Sequence, residues 1–565
     1  MRGILSIFAA LTIAPAYAIV DMKNANYAHT FTDIEVPGTG YDLKVKRTYN
    51  SRSLFSGVFG FGWCSEWETS LTVTAEGFLR VVECGAGLQL TYKPKQFDKK
   101  AVEKTIARIL EEVKKRNPKK PKSFFSNLEN NIRNDELLRQ DFEEKLNLRG
   151  NVADNVKYIV DGRDNEFIIK AKGSYTRTLT DGSKQKFNTQ GQLEAMYDKN
   201  NNYLKFDYSG NQLTSVTDNS GRKLTIKYSG ANKKVSSILG PNGMKSSYTF
   251  KGEDLASMTN AWGNSFSYVY DDLHNLTKIT YPDKSTRELT YNKDKDWVTS
   301  FKNRKNCLEK YEYKSDKNDP MNHYWSNVVK LCGKEVVNKS TYEFWHKDKF
   351  DGTGKFLYRV KSDVNSDVTD IVYHEIFGKP ISVSRNSTHV QYEYYDDGRV
   401  KLKKEPLRDM AFIYKNKCEK VSEVKIEYFQ PVEKKTKGKK LAQAEKRKSL
   451  RTITTKFMYD NKHCNLVFAQ NSIGQTAQLS YDKSGRISAI KDQSKKVVTI
   501  KYESRFGKPS IVSRPGLGTI KVAYDQNGDV KNVDSKDGPK VAVQVASIFN
   551  NLLDIIAPAT SETPL

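Results

Sequence analysis

Residues 481–502 read YDKSGRISAIKDQSKKVVTIKY. Gly485 stands after a short polar run, where a tight turn needs a residue at positive φ, and Ile487 and Ile490 mark the strand that follows. Val498, Ile500 and Tyr502 then alternate with polar residues at period two, the signature of a half-buried strand. The stretch is therefore two strands and two turns closed by a tyrosine. Residues 208–228, YSGNQLTSVTDNSGRKLTIKY, repeat that grammar: turns fall at Gly210-Asn211 and Asn219-Ser220-Gly221, and Leu224, Ile226 and Tyr228 alternate.

Outward from these two units the tyrosines keep a beat of about 20 to 23 residues. It runs through Tyr208, Tyr228, Tyr248, Tyr268 or Tyr270, Tyr291 and Tyr311 or Tyr313, and then Tyr373, Tyr394 and Tyr414. It returns at Tyr459, Tyr481, Tyr502 and Tyr524. A period in the twenties denotes a repeat architecture, because one unit cannot bury its apolar face and stacked neighbours can. Composition agrees: 31 Tyr against 8 Met among 565 residues favours strands over helices. Past the first twenty residues no uninterrupted apolar run approaches the ~20 residues of a bilayer span, so no transmembrane segment is expected after leader removal.

The repeat of tyrosine, polar turn, glycine, arginine and alternating strand resembles the YD repeat of bacterial Rhs proteins and teneurins. Tyr481-Asp482 to Gly485-Arg486-Ile487 is the cleanest instance; Tyr395-Asp396-Asp397-Gly398-Arg399-Val400 and Tyr524-Asp525 to Gly528 are close. Upstream, residues 37–63, PGTGYDLKVKRTYNSRSLFSGVFGFGW, resemble the Rhs-type entry segment, with Pro37, Gly38, Arg47, Tyr49, Asn50, Ser51, Arg52, Gly60, Gly62 and Trp63 as its motif. The resemblance implies a mainly β fold: a long antiparallel sheet that spirals into a shell, which in larger relatives encloses a C-terminal toxin. The self-cleavage segment of those relatives is missing here. Asp319-Pro320 lies mid-chain, Gly538-Pro539 reads as a turn, and the roughly forty residues after Tyr524 are shorter than a domain. The expectation is a short shell, open or closed, empty of its own cargo.

The N-terminus sets the compartment. Arg2, the apolar run Ile4–Ile13 and Ala16-Tyr17-Ala18 have the three parts of a secretory leader, so residues 1–18 are expected to be removed and the chain exported to the periplasm, cell surface or medium of a bacterium. Six cysteines suit an oxidising space: Cys64, Cys84, Cys307, Cys332, Cys418 and Cys464 suggest disulfides, with fifteen connectivities open. A zinc site would want closer spacing than the lone His463-Cys464 pair.

Two segments interrupt the repeats. Residues 93–149 carry helical stripes: Val102, Ile106, Ile109, Leu110 and Val113; Phe125, Leu128 and Ile132; and Leu138, Phe142 and Leu146, with Asn134 as the N-cap of the third. These stripes should pack on each other or on the β body. Residues 433–451 form a basic loop on a hairpin, and residues 541–556 a short amphipathic helix capping the last repeats. The domain plan is thus leader 1–18, entry segment 19–92, helical insertion 93–149, repeats 150–432, basic loop 433–451, repeats 452–540, and helix and tail 541–565.

The net charge of +26 invites a nucleic-acid reading, which export argues against. The excess is local: residues 93–122 hold 12 basic and 4 acidic residues, and residues 433–451 hold 9 and 2. Lys119, Lys120 and Lys122, with Lys434, Lys435, Lys437, Lys439, Lys440, Lys446, Arg447 and Lys448, are the candidate polyanion contacts. Trp262, Trp325 and Trp345 are candidates for sugar stacking or for core. There is no HExxH, GxSxG or P-loop, His374-Glu375 lacks a second histidine at helical spacing, and no cofactor or catalytic residue is expected. The function read from these features is a non-enzymatic, exported shell binding envelope glycans, anionic polymers or another protein. A cocoon around an effector encoded elsewhere is the rival, and a polysaccharide-active enzyme the third reading.

Overall fold

The structure, a computed structural model, describes residues 19–83, 88–96, 100–160, 162–230, 233–350, 355–386, 388–431, 447–525, 528–534 and 538–560. One antiparallel sheet of 36 strands runs in chain order from Ser70–Val73 to Val530–Asp534, each strand pairing with the next. Among the described residues no ladder joins its first and last strands, so the shell is open, which decides between the open and closed forms left undecided by the sequence.

The tyrosine beat has a mechanical cause. At Tyr208, Tyr228, Tyr291, Tyr373, Tyr394, Tyr459, Tyr481, Tyr502 and Tyr524 the strand register slips by one residue, whereas the strand carrying Tyr311 and Tyr313 pairs with the next without a slip. Such a bulge takes backbone groups out of the regular ladder. The tyrosine of the following repeat supplies the missing partner. Tyr502 Oη donates to the Ile487 carbonyl at 2.8 Å, and Ile487 lies opposite Tyr481. Tyr524 does the same to Pro509, Tyr481 to Leu466, Tyr313 to Val298, Tyr291 to Leu276, and Tyr228 to Leu213. Each of these six units is thus tied to its predecessor by one hydroxyl, spaced fifteen residues from its acceptor. The turns are closed by their aspartates: Asp482 accepts from the amides of Ser484 and Arg486 and pairs with the Arg486 guanidinium, while Gly485 takes φ +79°.

One repeat places its bulge off the expected tyrosine, and another chooses between two that were open. Tyr248 is not the bulge residue of its repeat; Phe250 is, and the neighbouring unit uses Tyr270 rather than Tyr268. Tyr248 and Tyr268 lie two residues earlier and turn their hydroxyls to the shell interior.

That interior is occupied by the chain's own segments. The entry segment fills its first half: strands Ile19–Asp21, Asn26–Val36, Leu43–Asn50 and Trp63–Cys64 form a small separate sheet whose apolar residues join one core with strands of residues 70–330. The second half is filled by a C-terminal helix, whose Val541, Val545, Ile548, Leu552 and Ile555 enter a second core with residues 392–520. The two halves of the sheet meet turn tip to turn tip. Asn202 Nδ2 donates to the Ser484 carbonyl (2.9 Å), Arg222 Nη1 to Arg505 (3.0 Å) and Lys420 Nζ to Thr180 (3.2 Å).

The helical insertion comprises α1 (Ala101–Arg116), α2 (Lys122–Asn134) and α3 (Glu136–Lys145), and the C-terminal helix is α4 (Gly538–Thr560). The stripes of α1 to α3 pack on each other in a third core. Asp135, not Asn134, caps α3, its carboxylate accepting from the Leu138 amide, because Asn134 still belongs to α2. The insertion interrupts nothing in the sheet, since Tyr158 pairs directly with Pro94 across it. α4 begins earlier than expected: Gly538 and Pro539 open it instead of forming a turn. By length and composition it could cross a bilayer, against the expectation of no such segment, yet one face is buried on the strands.

Candidate functional site

Seven of the ten entry-motif residues touch the shell, and Asn50, Ser51 and Gly62 hold the entry segment's own path. Arg47 is fully buried: its Nε donates to Asp33 Oδ2 at 2.7 Å and its Nη2 to Tyr268 Oη at 2.7 Å, and Tyr248 donates to the same Asp33 oxygen. The guanidinium lies over Trp63 (4.5 Å) and Phe31 (4.8 Å). Burial alone would lower the Arg47 pKa, but the Asp33 charge outweighs it and holds the guanidinium ionised. Trp63 donates its indole N–H to Tyr270 Oη (2.8 Å), and Tyr49 Oη accepts from the Leu276 amide (2.9 Å). The tyrosine ladder is thus interrupted where the entry segment docks: Phe250 has no hydroxyl, and Tyr270 spends its own on Trp63.

The remaining motif residues shape the path. Asn50 N–H donates to the Gly62 carbonyl, Ser51 Oγ accepts from Tyr27, and Arg52 reaches the Lys295 carbonyl. Pro37 O accepts from Arg222, Gly38 N–H donates to Asp42, and the turn at Gly60 sets Phe61 N–H on the Glu253 carbonyl. Gly62, at φ +73°, leaves no room for a side chain, since a Cβ would lie 2.8 Å from the Tyr49 ring. Beside this seam His29 accepts from Arg287 Nη1 (3.1 Å at Nε2), and burial together with Arg287 and Arg47 pushes its pKa down to about 3.

A second internal cluster was not legible in the sequence. Arg177 pairs with Glu166 (2.8 Å) and Glu83 (2.5 Å) and donates to Gln185 and to Tyr92, which itself donates to Glu166. Burial raises the Glu166 pKa, but the Tyr92 and Arg177 hydrogen bonds prevail and hold it below the usual range. The five residues lie on five different strands, so only strand register brings them together. A cleft of about 310 Å³ beside the first strand is lined by Arg149, Lys170, Tyr175 and neighbours, with no histidine, cysteine or carboxylate. Among the described residues no group of three or more His, Cys, Asp or Glu side chains could hold a metal ion.

The candidate polyanion contacts divide. Lys119, Lys120 and Lys122 are exposed on the turn between α1 and α2, and among the described residues none makes an ion pair. Lys434, Lys435, Lys437, Lys439, Lys440 and Lys446 lie outside the described residues, although their flanking strands pair as a hairpin, Phe429 opposite Ser449. Arg447 does not fit the role. It is turned inward, bonded to Asp409 (2.5 Å) and the Glu405 carbonyl and lying 4.0 Å over the Phe429 ring, while the Lys448 carbonyl accepts from Gln430. Of the tryptophans, Trp345 is already stacked by His323 (5.0 Å) and Arg359 (4.9 Å), Trp325 lies beside the same His323, and Trp262 stands half-exposed on a turn. Cys307–Cys332 and Cys418–Cys464 are disulfides; Cys64 is also disulfide-bonded, and Cys84 lies outside the described residues.

Residues 18–92, the entry segment, match the family model described as Domain of unknown function (DUF6531). No curated protein matches the chain. Among solved structures it is similar to a Tc holotoxin pore of Photorhabdus luminescens carrying a mutated TccC3. That match has 9% identity, 90% of this chain and 28% of that one covered, and a TM-score of 0.35. It is also similar to TcdB2-TccC3 without the hypervariable C-terminal region, at 9% identity, 90% and 29% coverage and a TM-score of 0.37. A porin-like protein of Bacteroides uniformis matches at 12% identity over 42% of this chain and 91% of that one, with a TM-score of 0.14. The chain spans less than a third of the length of the two toxin structures.

Proposed function

We propose that the chain is an exported Rhs-type β-shell that works as a non-enzymatic binding scaffold, engaging anionic envelope polymers from its outer surface. The observation that carries this reading is the trio Lys119, Lys120 and Lys122, exposed together on a three-helix insertion that has its own core and stands clear of the sheet's pairing. Three lysines on one turn form a compact positive patch whose field is local and screened by salt. The basic residues of 434–446 and Lys448 extend the same ligand class to a second site. Export fits the two disulfides, which persist in oxidising compartments. A glycan without charge is less well served, because Trp345 is already stacked on both partners named above. A protein partner would meet the outer surface too, since the chain's own entry segment and α4 occupy both inner faces.

The test is binding of the purified chain to heparin and to a bacterial anionic polysaccharide across a salt series. Affinity should fall steadily with salt, and Lys119→Glu/Lys120→Glu/Lys122→Glu should weaken it about tenfold while leaving the thermal midpoint in place. Affinity that stays flat with salt, or a triple variant that binds as before, refutes the patch.

A further inference from the structure

α4 buries one face on the shell and leaves the other bare. The bare face carries Lys540, Val543, Ser547, Asn550, Asp554 and Ala557, at alternating spacings of three and four residues, so they form one straight stripe. Val543 is 67% exposed. Lys540 and Asp554 are the only charged side chains of this 23-residue helix, both stand on the stripe, and neither makes an ion pair among the described residues.

Their placement is self-complementary. Each lies seven residues from Ser547, so the stripe has the cation at one end, the anion about 21 Å away at the other, and a small side chain at its centre. We propose that this face is a homodimer interface, in which α4 of one copy packs antiparallel on α4 of a second about a two-fold axis at Ser547. Lys540 of each copy then faces Asp554 of the other, giving two ion pairs from one contact, and Val543 of each falls beside the Asn550-Asn551 segment opposite. A two-fold contact uses the same patch on both subunits, as this one would. Ser547 lets the helix axes approach closely at the crossing. A parallel pairing would set Lys540 against Lys540 and Asp554 against Asp554, so the charges also select the direction. The same terminal unit presents the edge strand Val530–Asp534, which among the described residues pairs on one side only, with Gly518–Tyr524, and leaves Val530 and Val533 exposed.

Ser547→Cys tests the geometry directly, because none of the chain's described cysteines is free. Mild oxidation of the full-length variant should yield a disulfide-linked dimer, and sedimentation of the unmodified chain should show a monomer–dimer equilibrium. Lys540→Glu and Asp554→Lys should each weaken association about tenfold, and the doubly reversed variant should regain it. All are exposed positions, and circular dichroism with the thermal midpoint confirms that the variants fold. A chain that stays monomeric at concentrations of order 100 μM without cross-linking overturns the proposal. So does a double reversal that fails to restore what the single ones lose, or α4 partitioning into anionic lipid vesicles in place of self-association.

Discussion

Arg47 carries a full charge where solvent does not reach, and the entry segment is held in the shell largely through the company it keeps. Breaking a buried pair leaves the surviving charge without compensation, at a cost of about 3–5 kcal/mol. Arg47→Met should therefore destabilise the chain by roughly that amount in urea unfolding, whereas Arg47→Met combined with Asp33→Leu should recover much of it. A single variant with an unchanged midpoint would show that the pair does not anchor the segment. His29 gives the same seam a pH signature. Its folded pKa, down to about 3, lies below the unfolded value of about 6.5, so the unfolded state binds the extra proton between those limits. Its contribution is complete above about pH 6.5 and is lost as pH falls toward 3. Glu68, whose pKa burial pushes up to about 7, acts in the opposite sense, losing stability as pH rises from about 4.5 through 7. The difference between wild type and His29→Phe isolates the histidine: the wild type should lose stability relative to the variant as pH falls from 7 to 5, and a constant difference would contradict the burial.

At the scale of the element, the repeat is a bulge and a hydroxyl. A tyrosine hydroxyl bonded to a backbone carbonyl is worth about 1 kcal/mol, and removing it leaves a half-buried carbonyl without its partner. Tyr502→Phe should cost about 1–2 kcal/mol, and Tyr248→Phe should act by a different route, loosening the Asp33 carboxylate and so the entry segment. Hydrogen exchange separates the two: the first should raise exchange near Ile487, the second near Asp33. Much of this element was legible beforehand. Period-two alternation and the glycine turns located the strands around Leu224–Tyr228 and Ile487–Tyr502, and the three stripes of 93–149 located its helices. What could not be read was the assignment of Tyr248 against Phe250, because both face inward two residues apart, and only the bulge decides which one faces the preceding carbonyl. The Arg177 cluster was hidden for a similar reason: its members are 8 to 94 residues from Arg177 in sequence and meet only through register.

For the whole molecule, patterning gave the repeat and the resemblance implied the spiralling sheet, but neither said what lies inside it. A repeat reveals its own period, whereas the destination of the entry segment, which lacks the period, depends on packing against residues about two hundred positions away; α4, read as a cap on the last repeats, packs on them. Their burial turns a hollow scaffold into a self-filled one, so the proposed function places its ligand on the outer surface. The most direct test is native-state hydrogen exchange of the strand Leu43–Asn50, read together with the shell strands Ser265–Tyr270 and Leu276–Thr280 against which its side chains are locked. A self-filled shell predicts that all three exchange together, only through global unfolding, with equal dependence on denaturant. Exchange of Leu43–Asn50 by a separate, low-energy opening while the shell strands stay protected would mean that the entry segment is a removable insert, and would contradict the account.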